Sequence, residues 1–66
     1  SYNKYDVSIR IESGDTLWTI ADEYVEGFNL SKSDYIKEVC QINSISEDNI
    51  QAGDYIVVPY YSQDVK

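Results

Sequence analysis

Ser13-Gly14-Asp15-Thr16-Leu17-Trp18 stands where the periodicity of the chain changes. Upstream of it, Tyr5, Val7, Ile9 and Ile11 alternate with Asp6, Ser8, Arg10 and Glu12. That period of two lines one face of a β-strand. Downstream, Leu17, Ile20, Ala21 and Tyr24 fall at i, i+3, i+4 and i+7, which gathers them on one stripe of a helix. Gly14 tolerates the positive φ that a sharp strand-to-helix turn requires, and Asp15 or Thr16 offers an oxygen to the unpaired amides of the first helical turn. Residues 13–18 are therefore expected to form a short, rigid, partly exposed corner.

Beyond this corner, Glu26-Gly27-Phe28-Asn29-Leu30-Ser31 interrupts the helical pattern, and Gly27 suits the left-handed position past a helix end, so the first helix stops near Val25. Ser31 or Ser33 can cap a second helix, with Asp34 in its first turn where the dipole favours negative charge. Its apolar stripe is Tyr35, Ile36, Val39 and Cys40, with Ile42 as a further candidate, and Asn43 stands where helices commonly end in a left-handed turn. After the polar run Ser46–Asn49, the pair Gly53-Asp54 marks a tight turn into Tyr55-Ile56-Val57-Val58. Pro59 has no N–H for a ladder, so the second strand is expected to close there, and Tyr60 to Lys66 read as a tail in which Tyr60 and Tyr61 can still pack on the sheet edge. The expected class is α+β: a βααβ order, with two helices on one face of a two-stranded antiparallel sheet and Ile9, Ile11, Ile56 and Val58 pointing inward. One domain spans residues 1–66, with its core in 7–59.

Composition restricts the chemistry. A chain of 66 residues buries only about 60% of its unfolded surface, so small domains often need disulfides or a metal. Here Cys40 is the single cysteine and histidine is absent, which removes an internal disulfide and an ordinary zinc site; no cofactor or metal is expected. Seven tyrosines, Trp18 and Phe28 supply aromatic burial instead. The net charge of −7 repels polyanions, and the five basic residues are scattered at Lys4, Arg10, Lys32, Lys37 and Lys66, so nucleic acid and anionic lipid are poor partners. No window approaches the ~20 apolar residues of a membrane span, and the first residues show no charged region followed by an apolar run, an absence equally expected of a mature protein or of one module of a longer chain. Without histidine, neither a Ser–His nor a Cys–His arrangement can be assembled. Twelve acidic residues make accidental carboxylate pairs easy, yet a two-layer domain this small offers no deep cleft to raise one carboxyl's pKa, so the chain is not expected to be an enzyme.

Three separated segments carry a family likeness: Ile11-Glu12-Ser13-Gly14-Asp15-Thr16-Leu17-Trp18 with Ile20-Ala21, then Ile42-Asn43, then Ile50-Gln51-Ala52-Gly53-Asp54-Tyr55-Ile56-Val57-Val58-Pro59. In this order and spacing the chain, over residues 7–59, resembles the lysin-motif (LysM) domain family. The resemblance implies a βααβ fold, the same order obtained above from periodicity. It also implies binding of N-acetylglucosamine-containing glycans such as peptidoglycan or chitin, and an extracytoplasmic place at a cell wall or spore surface. The connection from Val25 to Ser33 looks longer than in the most compact members. Fungal and plant members are often disulfide-bonded, so the lone Cys40 points to the bacterial kind and to peptidoglycan.

Carried over from the family, the ligand groove lies between Gly14, Asp15, Thr16 and Leu17 on one flank and Asn43, Ser44, Ile45 and Ser46 on the other. An N-acetyl group presents an amide donor, a carbonyl acceptor and a methyl, which suits loop backbone beside small apolar side chains such as Leu17 and Ile45. Sugar hydroxyls can reach Asp15, Thr16 or Ser44. Structural roles compete at every position. Gly14 serves backbone shape, Asp15 and Thr16 serve as helix caps, Asn43 ends a helix or braces a loop, and Leu17 and Ile45 fill core or rim. Trp18 lies off the apolar stripe and is expected to be partly exposed, while Cys40 is expected to be a small buried hydrophobe. The leading expectation is a non-catalytic module that anchors a larger protein to cell-wall glycan, other domains of a longer chain being further partners. The competing class is a protein-interaction or assembly module of the same fold, in a spore coat or division complex. Strong acidity, Tyr60-Tyr61 and the long helix–helix connection motivate it.

Overall fold

Tyr5, Val7 and Ile9 turn inward from the strand β1, Asn3–Arg10, while Lys4, Asp6, Ser8 and Arg10 stay exposed, so the alternation read in the sequence is the alternation of the strand. The computed structural model describes residues 1–66, in the order β1, α1 (Leu17–Tyr24), α2 (Lys32–Asn43) and β2 (Tyr55–Ser62). The two strands pair antiparallel from Asn3 opposite Ser62 to Arg10 opposite Tyr55. Beyond Arg10 the pairing continues through the turns, where the Ile11 amide donates to the Asp54 carbonyl at 2.7 Å and the Gly53 amide to the Ile11 carbonyl at 2.8 Å. The fold is thus the expected βααβ arrangement of the α+β class.

Each helix begins on a hydroxyl. Thr16 caps α1 from an extended conformation: its Oγ1 accepts from the Thr19 amide at 3.1 Å, and Thr19 Oγ1 accepts from the Thr16 amide at 3.0 Å. This is a capping box with threonine where glutamate or glutamine is commoner, and it satisfies two of the four orphan amides. Ser31, rather than Ser33, caps α2, accepting from the Asp34 amide at 3.1 Å. Leu17, Ile20 and Ala21 of α1 meet Tyr35, Ile36 and Val39 of α2 and Ile11, Ile56 and Val58 in one buried cluster. Tyr35 is wholly buried, and its hydroxyl donates to the Pro59 carbonyl at 2.7 Å, so the polar tip of the largest core side chain has a partner.

Four local expectations change. Strand β2 does not close at Pro59 but runs to Ser62, so Tyr60 and Tyr61 are strand rather than the start of a tail. The reason is the phase of the ladder. Val57 shares its N–H and C=O with the Asn43 side chain and Pro59 gives its C=O to Tyr35, so alternate residues of β2 direct their backbone groups toward α2 and away from β1. The N–H that proline lacks belongs to this outward set, and no rung to β1 is lost. Secondly, the left-handed residue after α2 is Ser44 (φ 54°, ψ 47°); Asn43 remains the last helical residue. Thirdly, Ile42 faces solvent, off the buried stripe. Lastly, Cys40 is only half-buried, at the margin of the core. Trp18 is half-exposed, in line with its place off the apolar stripe.

Candidate functional site

The first flank is built by the turn from Glu12 to Thr16. Asp15 closes it: its Oδ2 accepts from the Glu12 amide at 2.7 Å while the Asp15 amide donates to the Glu12 carbonyl at 3.0 Å. Gly14 occupies the intervening position at φ +90°, with open space where a Cβ would stand. Thr16 then starts α1, donating from Oγ1 as well as accepting, and the Leu17 side chain drops into the core. Of the two side chains expected to cap α1, only Thr16 does so; the Asp15 carboxylate turns back to the Glu12 amide. What this flank shows to solvent is the peptide backbone of 13–16, one edge of the Asp15 carboxylate and the half-exposed indole of Trp18.

The second flank follows α2. The Ser44 and Ile45 amides fold back on the Gln41 and Cys40 carbonyls at 3.3 and 3.0 Å, the double closure that a left-handed residue permits. Ile45 packs on the core margin. Ser44 is exposed, and Ser46, also exposed, donates from Oγ to Asp48 Oδ1 at 3.1 Å. Asn43 behaves differently from its neighbours. Its Nδ2 donates to the Val57 carbonyl at 2.7 Å and the Val39 carbonyl at 2.8 Å, and its Oδ1 accepts from the Val57 amide at 2.8 Å. The amide acts as a one-residue strand on the outer edge of β2, with both donor hydrogens in use.

Both flanks rest on the same hydrophobic cluster, through Leu17 on one side and Ile45 on the other. They do not enclose a cavity: none of residues 43–46 lines either of the two depressions in the surface. One depression, of about 340 Å³, lies between the end of β1 and α1 and includes Arg10, Glu12, Asp15, Thr19, Glu23 and Tyr24. The other, of about 290 Å³, is lined by Tyr2, Glu23, Tyr24, Glu26, Tyr60 and Tyr61. Sequence periodicity assigns the tyrosines to core or sheet edge and misses this cluster, because Tyr2 and Tyr24 meet Tyr60 and Tyr61 only once β2 extends past Pro59. Burial, then Glu47, raises the Cys40 thiol pKa, so it stays protonated at neutral pH and is not a nucleophile. No set of three His, Cys, Asp or Glu side chains is placed to hold a metal ion, and no helix is long and apolar enough to cross a membrane.

The profile of the LysM domain matches residues 9–59. The chain belongs to the LysM domain family. Its LysM motif segments map onto the capped Glu12–Thr16 turn, the Asn43 clamp and the Gly53-Asp54 turn with the first half of β2. Among curated proteins the chain is similar to the "Cell division suppressor protein YneA" of Bacillus subtilis strain 168, 40% identical over 57 residues. The match covers 86% of this chain and 53% of that relative. The protein of the same name from Bacillus pumilus is also 40% identical over 57 residues, covering 86% of this chain and 54% of the relative. That from Listeria innocua is 32% identical over 60 residues, 91% of this chain and 51% of the relative. The LysM chain thus spans about half the length of these relatives. No solved structure matches it.

Proposed function

We propose that the chain is a non-catalytic module that binds N-acetylglucosamine-containing glycan, with bacterial peptidoglycan its ligand, and that it holds a longer protein at the cell wall outside the cytoplasm. The observation that supports this most is membership of the LysM family together with two exposed loop flanks seated on one core. In this proposal the side chains of Leu17 and Asn43 contribute from below, because one is buried and the other is spent on Val57. The sugar is met by the backbone of Gly14, Asp15, Thr16 and Leu17, and by Ser44, Ile45 and Ser46. Contact through peptide groups and small hydroxyls suits a neutral polyhydroxyl ligand, and it makes the charge of −7 unimportant for affinity. An open surface buries little of any one sugar, so a single module binds short oligosaccharides weakly and insoluble polymer usefully through many adjacent sites. Titration of chito-oligosaccharide is expected to move amide resonances at 14–17 and 43–46, and the purified chain is expected to sediment with insoluble peptidoglycan. Unmoved resonances at both flanks would remove the basis of the proposal.

That the relatives are named cell division suppressors favours a second reading, in which the fold serves protein interaction in a division complex. Ser46→Arg separates the two. It sets a long charged side chain on the second flank without touching the core. Under the glycan reading it abolishes sedimentation with wall; under the assembly reading it leaves capture of division proteins intact.

A further inference from the structure

At the other end of α1 from the capped turn, the depression formed by Tyr2, Tyr24, Tyr60, Tyr61, Glu23 and Glu26 has a composition unlike the loop flanks. Four phenol rings and two carboxylates surround about 290 Å³ of open space. Three of the rings are held in place. Tyr60 lies between Tyr24, edge-on at 6.5 Å, and Tyr5 at 5.7 Å, while Tyr61 packs edge-on against Phe28 at 4.7 Å and sits beneath Gly27. The carboxylates are unpaired. Lys4 pairs with Glu38, Arg10 with Glu12, Lys32 with Asp22 and Lys37 with Asp34, and neither Lys66 nor the N-terminal amine makes an ion pair with Glu23 or Glu26. Burial, then Glu23, then Tyr60 raise the Tyr24 pKa, so the ring is a neutral phenol whose π-face can receive a cation.

We infer that this tyrosine–glutamate depression is a binding site for an alkylammonium group, the lysine side chain of a basic peptide segment, separate from the glycan flanks. Aromatic faces attract a desolvating ammonium through the ring quadrupole, and two uncompensated carboxylates supply the charge. A tyrosine cage without acidic residues would take a neutral apolar group equally well; Glu23 and Glu26 select the cation. A peptide fits better than a free amine because the two depressions share Glu23 and Tyr24. They form one trough along α1, whose far end reaches Asp15 at the edge of the first glycan flank and in which Arg10, offset by Glu12, is the one basic lining residue. Leu17 and Tyr24 stand seven positions apart on α1, about 10 Å of rise, so a lysine seated among the tyrosines is clear of the Gly14–Leu17 turn, and none of residues 43–46 lines the trough.

The test is an NMR titration of the chain, followed at the tyrosine rings and the Glu23–Gly27 amides. The probe is the peptide acetyl-Gly-Lys-Gly-amide, with its Nε-acetyl-lysine counterpart as the neutral control. The lysine peptide is expected to shift Tyr24, Tyr60 and Tyr61 ring signals with a dissociation constant in the millimolar range, and the acetylated peptide to leave them in place. Glu23→Gln with Glu26→Gln, both exposed, is expected to weaken binding about fivefold with an unchanged melting temperature, and raising salt from 20 to 200 mM to weaken it further. Tyr2→Ala, at the open rim, is expected to weaken it two- to fivefold. Equal shifts from the acetylated peptide, shifts confined to other surfaces, or full affinity in the double glutamine variant would overturn the inference. Chito-oligosaccharide binding by the same variants is expected to be unchanged, so failure here and failure of the glycan proposal are distinguishable.

Discussion

Removing the Asn43 amide should unfasten α2 from β2. Asn43→Ala deletes three hydrogen bonds at 2.7–2.8 Å and leaves the N–H and C=O of Val57 facing the gap where the amide was. A buried peptide group without a partner loses about 1–3 kcal/mol. Val57 is half-buried, so water recovers part of this and the low end applies to each group. The expected loss is about 2–3 kcal/mol, against a total of roughly 3–10 kcal/mol for a domain of this length. A melting temperature lower by about 10–20 °C follows. Urea and thermal unfolding, followed by Trp18 fluorescence and circular dichroism, measure both. Asn43→Asp supplies the control. Its carboxylate still accepts from Val57 N–H but opposes the Val57 and Val39 carbonyls, so the folded state raises the new carboxyl's pKa and favours the protonated acid, which can donate. This variant is thus most stable below the unfolded carboxyl pKa of about 3.9 and loses stability as pH rises through the higher folded value. A loss under about 0.5 kcal/mol for Asn43→Ala, with no such pH response in Asn43→Asp, would refute the reasoning.

Other predictions follow from single contacts. Tyr35→Phe leaves the Pro59 carbonyl unpaired and should destabilise by about 1–2 kcal/mol at neutral pH. Burial first, then Glu38 and Tyr24, push the Tyr35 hydroxyl pKa well above its ordinary 10.0. The unfolded chain therefore ionises there first, wild-type stability falls as pH rises past about 10, and Tyr35→Phe should flatten that alkaline limb in pH-dependent urea titrations. Gly14 and Gly27 share φ +90°, but a Cβ at Gly27 would stand 3.0 Å from the Tyr61 Cβ and one at Gly14 meets nothing. Gly14→Ala should cost about 1 kcal/mol and Gly27→Ala at least twice that, by thermal unfolding. Ser44→Gly relieves a left-handed serine and should stabilise by about 0.5–1 kcal/mol, even after the entropy that glycine adds to the unfolded chain.

The elements legible in the sequence are those fixed by local chemistry. Period-two and period-3.6 patterns locate β1, α1 and α2, and hydroxyls at Thr16 and Ser31 start the helices where capping physics places them. The antiparallel pairing of the two strands was legible too, but not its extent. Whether Pro59 ends β2 depends on which residues turn their N–H to β1, a phase set by Asn43 and Tyr35 from another element, and nothing near Pro59 in the sequence records it. The same limit hid the tyrosine cluster, whose members lie at positions 2, 24, 60 and 61 and meet only through the Asn3–Ser62 end of the sheet. At the candidate groove, Gly14 and Thr16 take the turn and capping roles that residue type allows. The depth of Leu17 and the saturation of Asn43 are tertiary facts.

The register of the sheet also has a mechanical meaning. Asn3 and Ser62 sit side by side at one end of the ladder, and the Gly14 turn projects from the other. A load between the Gly14 turn and the Ser62 end of β2 runs along strands about 27 Å long, and every rung resists it together in shear. A load that draws Asn3 and Ser62 apart instead opens the ladder like a zipper, one rung at a time. The same eight-residue pairing is therefore stiff toward a pull from the turn and compliant toward a pull across its open end.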